Sequence, residues 1–277
     1  MVRTIILMVI LMLVFMFVGN AVAGEQGMMI AFFLACVMNF FSYFFSDKMV
    51  LKHYKAKEAT AQSAPELYSI VARLAKTADL PMPKVYIIPD EIPNAFATGR
   101  NPHHAAVAAT QGLLNTLSAQ EVEGVLAHEM SHVKHYDILI GSVAAVFAGA
   151  IAMLANMARY NKSSSSGRRQ GGIGELLAII LMPIAATIIQ MSISRTREYK
   201  ADEGAAHLTK HPEWLMSALS KLEGYAQRYR MQNATSQTAH MFIINPFSGL
   251  RNLSGLFSTH PSTKDRLARL EQLKREM

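Results

Sequence analysis

Cysteine is nearly absent: Cys36 is the only one in 277 residues, and it lies within an apolar run. That excludes a disulfide framework and a thiolate metal site, and it suits a reducing cytoplasm. Charge is scarce as well, at 17% of residues against the roughly 25% usual for soluble domains. Acidic residues are the fewer, 20 against 27 basic, which leaves a net charge of +7. The basic side chains cluster beside apolar segments, so anionic lipid headgroups are a simpler partner than nucleic acid, for which the chain carries no motif. No internal repeat is present. What the sequence has in abundance is apolar residues, 51% of the total with 18 Met, enough to place much of the chain in lipid.

Residues 4 to 23 are apolar apart from Thr4 and Asn20, and residues 28 to 45 form a second such run. Each is near the roughly 20 residues a spanning helix needs. Joined by Gly24-Glu25-Gln26-Gly27, they read as a transmembrane hairpin over 1–47. A cleaved signal peptide is the rival reading, since Arg3 precedes the apolar core and Ala21-Val22-Ala23 resembles a cleavage site. The length of the core and the prompt second run weigh against it. Lys48, Lys52, Lys55 and Lys57 follow, a flank of the cytoplasmic kind.

His128-Glu129-Met130-Ser131-His132 carries the chemistry. On a helix, histidines four apart project from one face and can share one Zn²⁺, with the intervening Glu129 beside the metal as a base. Ser118 as N-cap and Glu121 three residues later predict the start of that helix. Val122, Val125, Leu126 and Met130 give it an apolar face. The plainer alternative, two histidines satisfied by ordinary hydrogen bonds, is weakened by their spacing and the interposed Glu.

A catalytic zinc needs a third protein ligand and an open position. The metzincin pattern is excluded, because its glycine and third histidine would fall on His135 and Ile138. His135 is a neighbour on the same helix, unable to converge on a tetrahedral ion with the other two. Glu198 is the better candidate: it stands four before Asp202, so a second helix could offer one carboxylate to the metal and the other to the free N–H of a ligating histidine. The competing reading is a solvated helix in which Arg195, Arg197 and Lys200 pair across turns.

With these residues the chain resembles the integral-membrane gluzincin proteases of the HtpX type, in peptidase family M48, related to the Ste24 prenyl-protein endopeptidases. The resemblance runs over nearly the whole length. It rests on the two N-terminal apolar segments, Pro93-Asn94-Ala95-Phe96-Ala97-Thr98-Gly99, Ala105 to Thr110 with Gly112-Leu113-Leu114, the HEMSH helix, Glu198 with Asp202, and Thr259-His260-Pro261. It implies the same roles: His128, His132 and Glu198 as ligands of one Zn²⁺ per chain, Glu129 as general base and Asp202 as orienter. It adds an edge strand, with Asn94, Ala95 and Phe96 binding an extended polypeptide through the backbone. The oxyanion stabiliser is open among His260, Arg266 and Tyr199.

Two further apolar stretches, 138–158 and 173–194, lie between the metal motifs, joined by a basic Ser/Gly loop at 159–172. Since the ligands must meet on one side, both stretches span or neither does. The basic loop disfavours crossing and the lengths favour it; the expectation is two more transmembrane helices.

The expected fold is mainly α, of the α+β kind. A gluzincin-type domain with a small sheet is split into 48–137 and 195–277 around the apolar hairpin 138–194, below the N-terminal hairpin 1–47. The expected function is a multi-pass zinc endopeptidase of the bacterial cytoplasmic membrane, facing the cytoplasm and clipping misfolded or damaged membrane proteins under stress. That biological role is implied by the resemblance alone. A zinc-binding membrane protein or transporter without proteolysis is the alternative, disfavoured because the apolar runs hold hardly any ionisable residues. An intramembrane-cutting protease is disfavoured by Glu121, Glu123, Lys134 and Asp137 around the motif. Oligomeric state is open.

Overall fold

The computed structural model describes residues 2–147, 194–228 and 261–277. The loop expected at 159–172, most of the two apolar stretches beside it, and His260 lie outside the described residues. Helix α1 (Val2–His53) consists of two arms that fold back on each other at Ala23 (φ −141°, ψ 24°) and Gly24 (φ 61°, ψ −148°). The reversal is tighter than the four-residue turn expected from sequence, because Gly24 takes the left-handed conformation that only glycine adopts freely. Gly19 and Gly27 then let the arms touch, since a Cβ on either would strike the carbonyl of the other. Asn39 Nδ2 donates to Met8 O at 3.3 Å and ties them further along.

Ala23–His53, 31 residues, is long and apolar enough to cross a membrane, whereas Thr4–Asn20 is a shorter apolar helix. Phe17, Ile30 and Phe33 stand exposed on these arms. An apolar surface of this kind is costly in water and at home in hydrocarbon.

The arm from Ala23 leads into β1 (Lys57–Ala59), α2 (Pro65–Ala78), β2 (Lys84–Ile88), β3 (Ala95–Gly99), β4 (Ala105–Thr110), α3 (Gln111–Thr116) and α4 (Ala119–Lys134). Helix α5 (Ile138–Phe147) is the described beginning of the third apolar stretch. Beyond the undescribed segments come α6 (Arg195–Thr209), α7 (Pro212–Arg228) and α8 (Thr263–Glu276). The strands form one mixed sheet in the order β1-β2-β4-β3, parallel only between β2 and β4.

Alternation along the strands gives the sheet two buried faces. Val85, Ala95, Val107 and Ala109 face the main core, with Ile70, Val71 and Leu74 of α2, Val125, Leu126 and Met130 of α4, and Leu215 and Leu219 of α7. Ile88, Phe96, Ala106 and Ala108 face Val50 and Leu51 at the end of α1, with Ala145 of α5 beside them. The sheet thus divides the apolar hairpin from the helices that carry the metal motifs. Burial on both faces explains why β4 reads Ala-Ala-Val-Ala-Ala-Thr without polar alternation.

Helix α4 begins as the sequence predicts, with Ser118 and Glu121 closing a capping box in both directions. Gly124 allows the backbone of α7 to approach at Leu215. Helix α5 packs on the first arm of α1, where Leu7 and Leu11 meet Leu139, Ile140, Val143 and Phe147.

Candidate active site

His128 and His132 project from α4 towards Glu198 on α6. The two helices cross closely at Gly204, where a side chain would strike Ser131 Oγ. His128 Nε2 lies 3.6 Å from Glu198 Oε2, and His132 Nε2 lies 3.5 Å from Glu198 Oε1. All three ligand atoms fall within 4.8 Å of one another. Ligands about 2.0–2.1 Å from a tetrahedral ion stand about 3.3–3.4 Å apart, close to the two histidine–carboxylate separations, so small side-chain movements would gather these residues on a single metal. His128 and Glu198 are buried and His132 is half-buried, which leaves one approach open.

The other edge of each ring is held by a carboxylate. Asp202 Oδ1 lies 2.9 Å from His128 Nδ1, and Asp137 Oδ2 lies 3.4 Å from His132 Nδ1. With the Nδ1 proton engaged, the Nε2 lone pair of both rings faces Glu198. Asp137 was legible in the sequence only as one of the charged residues around the motif. Its placement depends on Tyr136, whose left-handed φ of 60° turns the chain so that Asp137 N–H donates to His132 O at 3.0 Å. Arg197 Nη1, 3.6 Å from Asp137 Oδ1, ties that turn to α6.

Arg266 differs from expectation. It is buried, and its Nε and Nη2 donate to Asp202 Oδ2 at 2.9 Å and Oδ1 at 2.6 Å. The guanidinium sits on the Nδ1 side of His128, away from the metal-facing edge, so this Arg holds the carboxylate that holds the imidazole. Tyr199 does not face the ligands either: its ring lies 3.9 Å under the guanidinium of Arg269 on α8. His260, the third oxyanion candidate, falls outside the described residues.

Glu129 is buried, and Ala97 N–H of β3 donates to its Oε2 at 2.9 Å. Burial pushes this carboxyl above the usual range, against the opposing pull of His128 and His132. Asp202 is also penalised by burial, yet Arg266 and His128 hold it below the usual range. Of the residues expected to bind polypeptide, Asn94 O accepts from Thr110 N–H at 2.9 Å. The backbone groups of Asn94 and Phe96 therefore point into the sheet, and by alternation those of Ala95, Ala97 and Gly99 point to the free edge. The Phe96 side chain is also taken, packed 5.4 Å from the Tyr54 ring. An extended partner would meet Ala95 and the carbonyl of Ala97, whose N–H is held by Glu129.

Burial alone would depress the His128 pKa, but Asp202 and Glu198 overcome it and raise it from 6.5 to about 9. A raised folded pKa means that the stabilisation from protonated His128 is complete below 6.5 and lost as pH rises through about 9. A metal needs the neutral ring and competes with that proton. Metal affinity should therefore climb by about tenfold per pH unit between about pH 7 and 9, then flatten. Competition titration with a chromophoric zinc chelator measures this, and a flat profile over that window would refute it.

A zinc-motif helix crossed by a Glu-bearing helix, beside an edge strand whose N–H meets the motif's Glu, defines a metallopeptidase site. Residues 61–274 match the sequence profile of peptidase family M48, and the chain belongs to that family. It is 67% identical to a protein named Protease HtpX homolog from Campylobacter hominis, over 100% of this chain and 99% of the relative. A protein of the same name from Sulfurovum sp. is 55% identical over 98% of this chain and 99% of the relative. Among solved structures, S. mikatae Ste24p aligns with a TM-score of 0.51 at 19% identity, covering 95% of this chain and 62% of Ste24p. That likeness concerns the fold; this chain spans about 62% of that protein's length. The chain is accordingly a membrane-associated metalloprotease.

Proposed function

We propose that the chain is a zinc endopeptidase that cuts misfolded or damaged membrane proteins at the cytoplasmic face of a bacterial inner membrane, as part of quality control under stress. The observation that carries this reading is the convergence of His128, His132 and Glu198 within 4.8 Å, with Glu129 held against the edge strand by Ala97 N–H. In the reading, those three residues hold one Zn²⁺, which when bound supplies Lewis acidity towards water and the scissile carbonyl. Glu129 takes the proton of the attacking water and returns it to the leaving amine. Asp202, fixed by Arg266, and Asp137, fixed by Arg197, keep the two imidazoles aimed. Ala95 and Ala97 offer backbone groups along which an unfolded polypeptide can lie.

The position relative to the membrane is supported by Lys48, Lys52, Lys55 and Lys57, exposed at and after the end of α1, a positive flank of the cytoplasmic kind. The start of the apolar helix α5 within a few residues of His132 supports a metal site close to the lipid surface. A zinc-storage protein or transporter would leave the Glu129–Ala97 contact without a purpose.

The test is reconstitution of the zinc-loaded chain in liposomes with one membrane protein presented in folded and in misfolded form. Misfolded substrate should be cut at least about tenfold faster, since only an extended segment can pair with a strand edge. Equal rates, or no products from either form, would refute the reading.

A further inference from the structure

We propose that Ser142 on α5 is a positioning residue for cleavage: it closes the free edge of β3 at Gly99 and so fixes the register in which a polypeptide lies across Glu129. The proposal rests on the reading of β3 as the strand along which substrate pairs.

The hydrogen bonding of Ser142 is complete and directional. Its Oγ lies 2.8 Å from Ile138 O, 2.6 Å from Thr98 Oγ1 and 3.5 Å from Gly99 N. A hydroxyl has one proton and two lone pairs. Ser142 therefore donates to the Ile138 carbonyl, accepts from the Thr98 hydroxyl, and presents its remaining lone pair to Gly99 N–H. Both side chains are buried, Ser142 at 1% and Thr98 at 0% exposure. These hydroxyls lie where a core would otherwise be apolar, between a helix read as entering the membrane and the edge strand.

The place of this contact along β3 gives it a function. The outward N–H groups of the strand belong to Ala95, Ala97 and Gly99. Ala97 meets the general base Glu129, and Gly99, the next outward residue, meets Ser142. Gly99 itself has φ 136°, and a Cβ there would strike the carbonyl of His104, so the strand ends at that point. A pairing polypeptide finds Ala95 and the carbonyl of Ala97 available, the Ala97 N–H being held by Glu129, and runs into α5 at Gly99. Ladder pairing repeats every two residues, so the nearest alternative register for substrate is a slip of two. Ser142 blocks that slip on the Gly99 side of the strand. It lies five residues after Asp137, which holds His132, so one short stretch orients a metal ligand and stops the substrate ladder.

Ser142→Ala and Thr98→Val, each with about one zinc per chain, should raise KM about tenfold while kcat changes less than about threefold, as expected when positioning rather than chemistry is weakened. Mass mapping of products from an unfolded polypeptide should show additional cuts displaced by two residues. Thr98→Ser keeps the hydroxyl and should restore both KM and the product map, which a purely packing role would not do. The double variant should cost no more than the worse single one, because both act through one contact. Unchanged KM and product map in both single variants would overturn the proposal, as would parallel loss of zinc and kcat. Failure of the wild-type chain to cleave would instead overturn the peptidase reading beneath it.

Discussion

Glu129→Ala should bind one zinc per chain and cleave about 10²–10⁴-fold more slowly, the range that positioned general acid–base groups contribute. None of the three candidate ligands touches the metal through Glu129, so its removal leaves the ligand geometry standing. What is lost is a carboxylate whose proton affinity is raised by burial and whose orientation is set by the 2.9 Å bond from Ala97 N–H. A raised affinity is useful here, since a base nearer neutrality can both take a proton from water and give it to an amine. Glu129→Gln, which retains the shape, should be impaired to a similar degree. Zinc content and single-turnover cleavage measured on the same preparation decide the matter, and undiminished proteolysis by either variant would remove Glu129 from the chemistry.

Glu198→Ala should lose the metal itself. Two imidazoles would remain, facing a gap where Glu198 now lies 3.5 and 3.6 Å from their Nε2 atoms. The drop in zinc affinity should exceed the roughly 10–100-fold typical for removal of an outer hydrogen-bond partner. Asp202→Asn provides that lesser benchmark in the same protein. Activity of Glu198→Ala should disappear with the zinc and return in part at high zinc concentration. Stoichiometric zinc after dialysis of this variant would exclude Glu198 as a ligand.

The local parts of this site were written in the sequence. The spacing of His128 and His132, the capping box of Ser118 and Glu121, and the four-residue step from Glu198 to Asp202 follow from one helical turn, so reading them required no knowledge of the rest of the fold. The parts that escaped depend on tertiary geometry. Asp137 reaches His132 because Tyr136 adopts a left-handed conformation, which its side chain does not announce. Arg266 stood in the sequence only as one of three open oxyanion candidates, because its partner is 64 residues away and nothing in the spacing says whether it meets substrate or Asp202. The free edge of β3 was assigned to Asn94, Ala95 and Phe96, yet the alternation of backbone groups depends on the pairing of Ala95 with Ala109. One residue of register moves the exposed set to Ala95, Ala97 and Gly99.

The bond between Arg266 and Asp202 also imposes an order in time. Chains leave the ribosome from the N-terminus, and domains assemble largely in that order. The HEMSH helix emerges first, Glu198 and Asp202 follow, and the cation that neutralises Asp202 arrives only with α8. Until then the carboxylate behind His128 lacks the guanidinium that grips both its oxygens, and a buried charge without its full set of partners disfavours closure of the core. A nascent copy would therefore carry its metal residues without a rigid site, and would acquire cutting geometry only once α8 had docked.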